Sequence, residues 1–195
     1  PDAVHANAVI ALEDVASNED LDLLARTSVG ASHDSYIYRG KHWALAIDTA
    51  AQVSAYRPDK TAKGLVFWDE VLEAGREGLV LWPHKPVDAF STFATLLAQK
   101  GSALCSTHEY VNKAAAAEVL TFMINLAKVV PAQCLSMNPI EAAEYLVTTD
   151  KEHYSICMYG YTNYSRDGFR TRPIVYDDVP SFDGLASGSQ LGGAG

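Results

Sequence analysis

Cysteine, positive charge and long apolar runs are all scarce in this chain, and each scarcity argues against a class of function. The three cysteines among 195 residues, Cys105, Cys134 and Cys157, have neither CxxC spacing nor neighbouring ligand pairs, which argues against zinc or any other metal. They read as three unpaired buried thiols; in an exported protein the alternative is a Cys105–Cys134 disulfide bracketing the central helix, with one thiol left over. Lysine and arginine total 15 against 24 acids, for a net charge of -9. Without a basic cluster to neutralise phosphates, no nucleic-acid partner is expected. No apolar run approaches the roughly 18 residues of a membrane span. The longest, Ala114 to Val130, is interrupted by Glu118, Asn125 and Lys128. The chain starts at Pro1-Asp2 with no basic and apolar leader, so any export signal is expected to have been removed or to lie outside it.

What is present fits one large domain or two small lobes. Asn18-Glu19-Asp20 marks a helix start, with Asn18 as its N-cap. Tyr36-Ile37-Tyr38, a turn at Arg39 to His42, and Trp43 to Ile47 read as a β-hairpin, with Asp48 at the end of its second strand. Val53 to Tyr56 is a strand stopped by Arg57-Pro58. Phe67 to Arg76 has helical spacing, and Leu79 to Leu81 is a short buried strand. A helix from Val87 places Phe90, Phe93, Ala94 and Leu97 on its inner face and ends at Lys100-Gly101. Helices over His108 to Val130 and from Asn138-Pro139 follow, the latter with Ile140, Ala143 and Leu146 or Val147 inward. A strand from Tyr154, a basic turn at Arg166 to Arg172, a strand at Ile174 to Tyr176 and a Gly/Ser-rich tail complete an α/β pattern.

The segment most suggestive of a site is Tyr154 to Tyr164, strand-like at first and then crowded with Tyr159, Tyr161, Thr162, Asn163 and Tyr164. Tyrosine offers an apolar face and a hydroxyl, which suits a ligand such as a sugar; equally, these rings suit a core or an interface. Trp43, near Asp48 and Gln52, and Trp82, near Lys85 and Asp88, carry the same two readings: core, or wall of an aromatic-lined cleft. Catalytic signatures are weak. Ser32-His33-Asp34-Ser35 holds triad residue types, but sequence neighbours point apart, and there is no GxSxG elbow. A carboxylate pair of the glycosidase kind depends on spatial separation that no sequence reveals. The tail Gly188 to Gly195 lacks the spacing and lysine of a phosphate loop.

Three segments in this order resemble a known family. Trp43 to Asp59 is similar to the crossover strand of family 1 extracellular solute-binding proteins, the sugar receptors of ABC importers, and Phe67-Trp68-Asp69-Glu70-Val71 to the helix that follows it. Leu81 to Phe90 is the second segment. The third joins Ser136 to Ala143 with Tyr159 to Arg166. Gly188 to Gly195 resembles the strand that returns to the N-terminal lobe. The resemblance implies an internal piece of a two-lobed, periplasmic-binding-protein-like α/β fold. Its parts would be residues 1–52 as the end of the N-terminal lobe and the hinge strand, 53–185 as the C-terminal lobe, and 186–195 as the return strand.

The resemblance also implies capture rather than catalysis, without a cofactor. A sugar or polyol would bind between the lobes, and hinge closure would present it to ABC permease subunits. It implies a monomer, periplasmic or extracellular, with a lipid anchor as one means of attachment. Carried over position by position, Asp48 and Gln52 would meet ligand hydroxyls near the hinge. Trp82, Lys85, Asp88 and Phe90 would come from the strand–helix junction of the C-terminal lobe. Tyr161, Asn163 and Tyr164 would stack and hydrogen-bond from the facing loop, and Gly192 and Gly193 would let the returning backbone approach. The alternative function is a carbohydrate-active hydrolase using an Asp/Glu pair.

Overall fold

The computed structural model describes residues 1–102, 104–105, 109–182 and the backbone of 191–192. The chain divides into two compact units, Pro1–Ala50 with Leu191–Gly195, and Ala51–Gln190.

Unit 1 contains helices α1 (Asp2–His5) and α2 (Asn18–Thr27) and a hairpin of β1 (Ile37–Tyr38) and β2 (Lys41–His42). Ser17, not Asn18, caps α2: its hydroxyl oxygen accepts the Asp20 N–H at 3.1 Å. The hairpin is shorter than the sequence predicts. Its turn is Arg39-Gly40, both at positive φ, and Trp43 to Thr49 forms no strand. Trp43 instead folds back, its indole N–H donating to Tyr38 O at 2.8 Å, and so leaves the line of the ladder. Glu13, in a 3-10 turn at Leu12–Asp14, accepts both the backbone N–H (3.0 Å) and Nδ1 (2.8 Å) of His42. Those bonds hold its carboxyl at about 2, well below the ordinary 4.5.

Unit 2 is an α/β body. In chain order it contains β3 (Ala50–Tyr56, which starts at the unit boundary), α3 (Trp68–Arg76), β4 (Val80–Leu81) and α4 (Pro86–Gln99). Then come α5 (Lys113–Ala127), α6 (Pro139–Thr148), β5 (Tyr154–Tyr159) and β6 (Val175–Asp177). A last two-residue strand, β7 (Leu191–Gly192), belongs to unit 1. The sheet runs β4-β5-β3-β6, with β4 and β5 parallel and β3 antiparallel to β5 and to β6. Ser155 to Met158 are all buried, as expected of a strand covered on both faces, and α4 and α6 both pack against β5. The core joins Trp68, Val71, Leu81, Trp82, Leu96, Leu97, Leu126, Leu146 and Ile156.

Local chemistry explains the element ends. Asn138 caps α6 in a capping box: its side chain accepts the Glu141 N–H (2.8 Å), and Glu141 accepts the Asn138 N–H (2.7 Å). The other end of α6 is closed by Arg57. Its fully buried guanidinium donates to Leu146 O (2.9 Å) and Thr149 O (2.8 Å) and is neutralised by Asp59 at 2.6 Å. Helix α5 is shorter than the predicted span, capped by Asn112 through the Ala115 N–H (3.1 Å); the predicted start at His108 lies outside the described residues. The predicted inner faces of α4 and α6 are buried at Ala94, Leu97, Ala143, Leu146 and Val147, with Phe93 packed against the core, but each has one residue that points out. Phe90 is 55 % and Ile140 44 % exposed, while α4 buries Asp88, Ser91, Thr92, Thr95 and Gln99 beside Leu96 and Leu97. All three cysteines are free, but Cys105 is exposed, so the expectation of three buried thiols holds for Cys134 and Cys157 alone.

Candidate functional site

A polar seam runs along α4 where an apolar contact would be expected. Gln52, 1 % exposed on β3, donates from Nε2 to Thr92 Oγ1 (3.2 Å) and Cys157 O (3.0 Å), and its Oε1 accepts from Thr95 (3.0 Å). The strand geometry creates this need. Val53 pairs with Met158 and Ala55 with Ser155, so Ser54 faces two residues, Ile156 and Cys157, in a β-bulge. Cys157 adopts φ 50° there, and its carbonyl bonds to the Gln52 side chain. The Trp82 indole N–H donates to the same Thr92 hydroxyl (3.3 Å), and Trp68 donates to Gln99 Oε1 (3.0 Å). Gln52 and Trp82 thus fasten the sheet to α4 from inside, and neither offers a surface within unit 2.

The junction between β4 and α4 holds the chemically unusual groups. Lys85 Nζ pairs with Glu141 at 2.8 Å, linking the starts of α4 and α6 and holding the Glu141 carboxyl below its ordinary range. The His84 ring lies 3.9 Å from that of Trp82, and burial lowers its pKa. Asp88 is 3 % exposed, with Oδ2 unpartnered among the described residues, and burial pushes its carboxyl up against the opposing pull of Lys85. The end of β5 reaches this helix through Tyr159, whose hydroxyl donates to Ser91 Oγ at 3.0 Å.

Beyond Tyr159 the tyrosine-rich segment separates by role. Tyr161 is 42 % exposed, and its carbonyl accepts from the Tyr176 hydroxyl at 2.8 Å. Asn163 is exposed and accepts from Arg166 at 3.2 Å. Tyr164 faces inward, its hydroxyl donating to Glu144 (2.7 Å), while Arg170 pairs with Glu144 and lies 5.6 Å from the Tyr164 ring. Burial and Glu144 push the Tyr164 phenol up to about 12. Tyr164 is therefore a pin for its loop, not an open stacking face.

Of the remaining sequence-predicted residues, Asp48 is exposed in unit 1, Phe90 is exposed on α4, Gly192 lies in β7 and Gly193 lies outside the described residues. The structure brings together Lys85, Asp88 and Trp82, joined by Tyr159 of the tyrosine-rich segment and by His84 and Glu141, which sequence reasoning missed. Only Glu141 had a local signal, the Asn138-x-x-Glu141 capping pattern. Two surface grooves, of about 430 and 480 Å³, are walled by Phe67, Glu70 and Glu73 and by Lys100, Glu118 and Asn125, and contain none of the predicted residues. Among the described residues no three His, Cys, Asp or Glu side chains cluster as metal ligands, and no helix is long and apolar enough to cross a membrane.

No protein-family model and no curated protein sequence matches the chain. Among solved structures it is similar to maltose-bound T. maritima MalE3, with a TM-score of 0.72 over 95 % of this chain and 51 % of that one, at 18 % identity. The chain spans about half the length of that structure. The likeness shows the fold: mixed α/β, of the periplasmic-binding-protein-like kind, as the sequence resemblance implies.

Proposed function

We propose that this chain is part of a two-lobed receptor that captures a sugar or polyol outside the cytoplasm and hands it to an ABC permease. The observation that carries the reading is the fold likeness, over 95 % of the chain, to a protein solved with maltose bound. Folds host many functions, so the site has to bear its share. The β4–α4 junction and the loop that follows β5, whose Tyr159 bonds to Ser91 of α4, supply it: a carboxyl with an oxygen unpartnered among the described residues, a lysine, and exposed Tyr161 and Asn163 are groups that suit hydroxyls and C–H faces. We assign Lys85, Asp88, Tyr161 and Asn163 as the first candidates for solute contact, with Asp48 and Phe90 next. Gln52, Trp82 and Tyr164 hold these elements in place.

The hydrolase alternative has no observation in its favour. A general acid needs a raised carboxyl close to a second, ionised one. Glu70, Glu141 and Glu144 are engaged in capping bonds or ion pairs that hold each carboxyl low, and Asp88, which is raised, has no carboxylate bonded beside it.

The deciding experiment is a calorimetric titration of the full-length protein with maltose and a panel of mono- and disaccharides and polyols. Saturable binding without turnover of aryl glycosides is expected. No heat and no thermal shift with any member of the panel overturns the reading.

A further inference from the structure

The first turn of α4 holds a carboxyl that the helix does not use. Three helices of unit 2 carry an acid at their third position: Glu70 in α3, Asp88 in α4 and Glu141 in α6. Glu70 reaches back to the Phe67 N–H at 3.0 Å and Glu141 to the Asn138 N–H at 2.7 Å. In α4 the equivalent N–H belongs to Lys85, and it donates to Met137 O at 3.2 Å. The preceding N–H, of His84, is likewise taken by Cys134 O (3.0 Å) and Met137 O (3.2 Å). Asp88 is thus deprived of the usual capping bond, and its Oδ2 is buried with no hydrogen-bond partner among the described residues. His84 Nδ1, on the same junction, is a second buried polar atom without one. Buried polar atoms nearly always have partners, so two orphans at one junction point to a group that arrives from outside the chain.

We propose that Asp88 makes solute capture proton-linked: a hydroxyl of a polyhydroxylated solute donates to Oδ2, holds the carboxyl ionised and expels its proton to water. This rests on the solute-binding reading above and adds to it a regulation of the same site. The balance is simple. The acid O–H bond breaks, the proton passes to solvent, and the carboxylate gains the hydrogen bond that the helix withholds; nothing is oxidised or reduced. The surroundings leave Asp88 as the group that changes state. Lys85, on its own helix, is tied to Glu141 of α6, whose carboxyl is held low. His84, from the β4 side, has its pKa lowered by burial. From β5, Tyr159 is bonded to Ser91, and the Cys157 thiol is pushed up to about 12. Burial raises the free Asp88 carboxyl, so a solute that favours the ionised form binds more weakly as pH falls through that raised value. For one linked proton the loss is about tenfold in affinity per pH unit.

The test uses the full-length protein and maltose, or the tightest member of the saccharide panel. Affinity is followed from about pH 8 to about pH 4, spanning the ordinary carboxyl range. Proton release is read by calorimetry in two buffers of different ionisation enthalpy, for the wild type and for Asp88→Asn. Weakening towards acid with proton release in the wild type, both lost in Asp88→Asn, is the expected result. Binding that is indifferent to pH and releases no proton overturns the linkage and leaves the solute reading standing. Unchanged pH dependence in Asp88→Asn assigns the proton elsewhere and also overturns it. If no saccharide binds, the solute reading fails, and carboxyl-carbon NMR of the free protein then decides the linkage on its own. An Asp88 that titrates at or below the ordinary aspartate value overturns it, and the same spectrum serves if Asp88→Asn does not fold.

Discussion

Cys157 combines three constraints in one residue: full burial, left-handed backbone and a carbonyl bonded to a side chain rather than to the strand ladder. Positive φ is costly for branched residues. Cys157→Val is therefore expected to destabilise the protein by about 1–3 kcal/mol although valine is apolar and of similar size. Urea unfolding monitored by circular dichroism measures this; Cys157→Ala, which has a Cβ but no branch, serves as the unbranched control. Gln52 makes the complementary case. Gln52→Met keeps the bulk but removes the bonds to Cys157 O, Thr92 and Thr95, and is expected to cost about 1–3 kcal/mol in the same assay. The sequence presents Gln52 beside Asp48 as a polar residue near a hinge, and nothing in its spacing reveals the bulge opposite Ser54. That is why its reading as a ligand contact and its place in the structure differ.

At the scale of elements, breakers and most apolar inner-face positions were legible, whereas the polar residues buried beside them were not. Pro58, Pro86, Asn138-Pro139 and Gly101 mark real ends because their backbone chemistry acts locally. On α4 periodicity finds Phe93, Ala94 and Leu97 correctly and misplaces Phe90, and it misses Ser91, Thr92, Thr95 and Gln99 because it counts apolar residues whereas these are buried through hydrogen bonds. Trp43 to Ile47 has strand composition, yet the Trp43 indole is held by Tyr38 O and the ladder ends at His42. Two predictions belong here. Asn138→Ala removes the acceptor of the α6 capping box and is expected to cost about 1 kcal/mol in thermal or chemical unfolding. The second concerns Glu13, whose carboxyl is lowered from 4.5 to about 2 by the His42 backbone and ring bonds. A lowered carboxyl contributes fully above its unfolded value and is lost as pH falls towards its folded one. The hairpin's amide protection, read at His42 by hydrogen exchange, should decline between about pH 4.5 and about pH 2, and Glu13→Gln should lack that step.

At the scale of the molecule, the α/β class and the periplasmic-binding-protein-like fold were both legible, because they follow from the order of helices and strands along the chain. The interior of unit 2 packs α4, α6 and β4 against β5 and α3 against β4, with Trp68, Trp82 and Leu146 fully buried. Among the described residues of unit 1, Ala11 and Leu21 are the buried apolar side chains, while Ile10, Val15, Leu23, Val29 and Ile47 are exposed. Local stability follows buried contact. Native-state hydrogen exchange should therefore open the amides of α2 and the hairpin at lower free energy than those of β5 and α6; equal protection in both units would refute this.

The three thiols give the protein a built-in gauge of its own integrity. Cys105 is exposed, whereas Cys134 and Cys157 are buried, and the Cys157 thiol is pushed up to about 12. Only a thiolate reacts with an alkylating reagent, and at pH 8 a thiol of that kind is ionised roughly once in ten thousand molecules. A brief exposure to iodoacetamide should add one mass increment to an intact molecule and three to an opened one. Intact-mass spectrometry can then count the folded fraction of any variant described above, without a ligand or an introduced label.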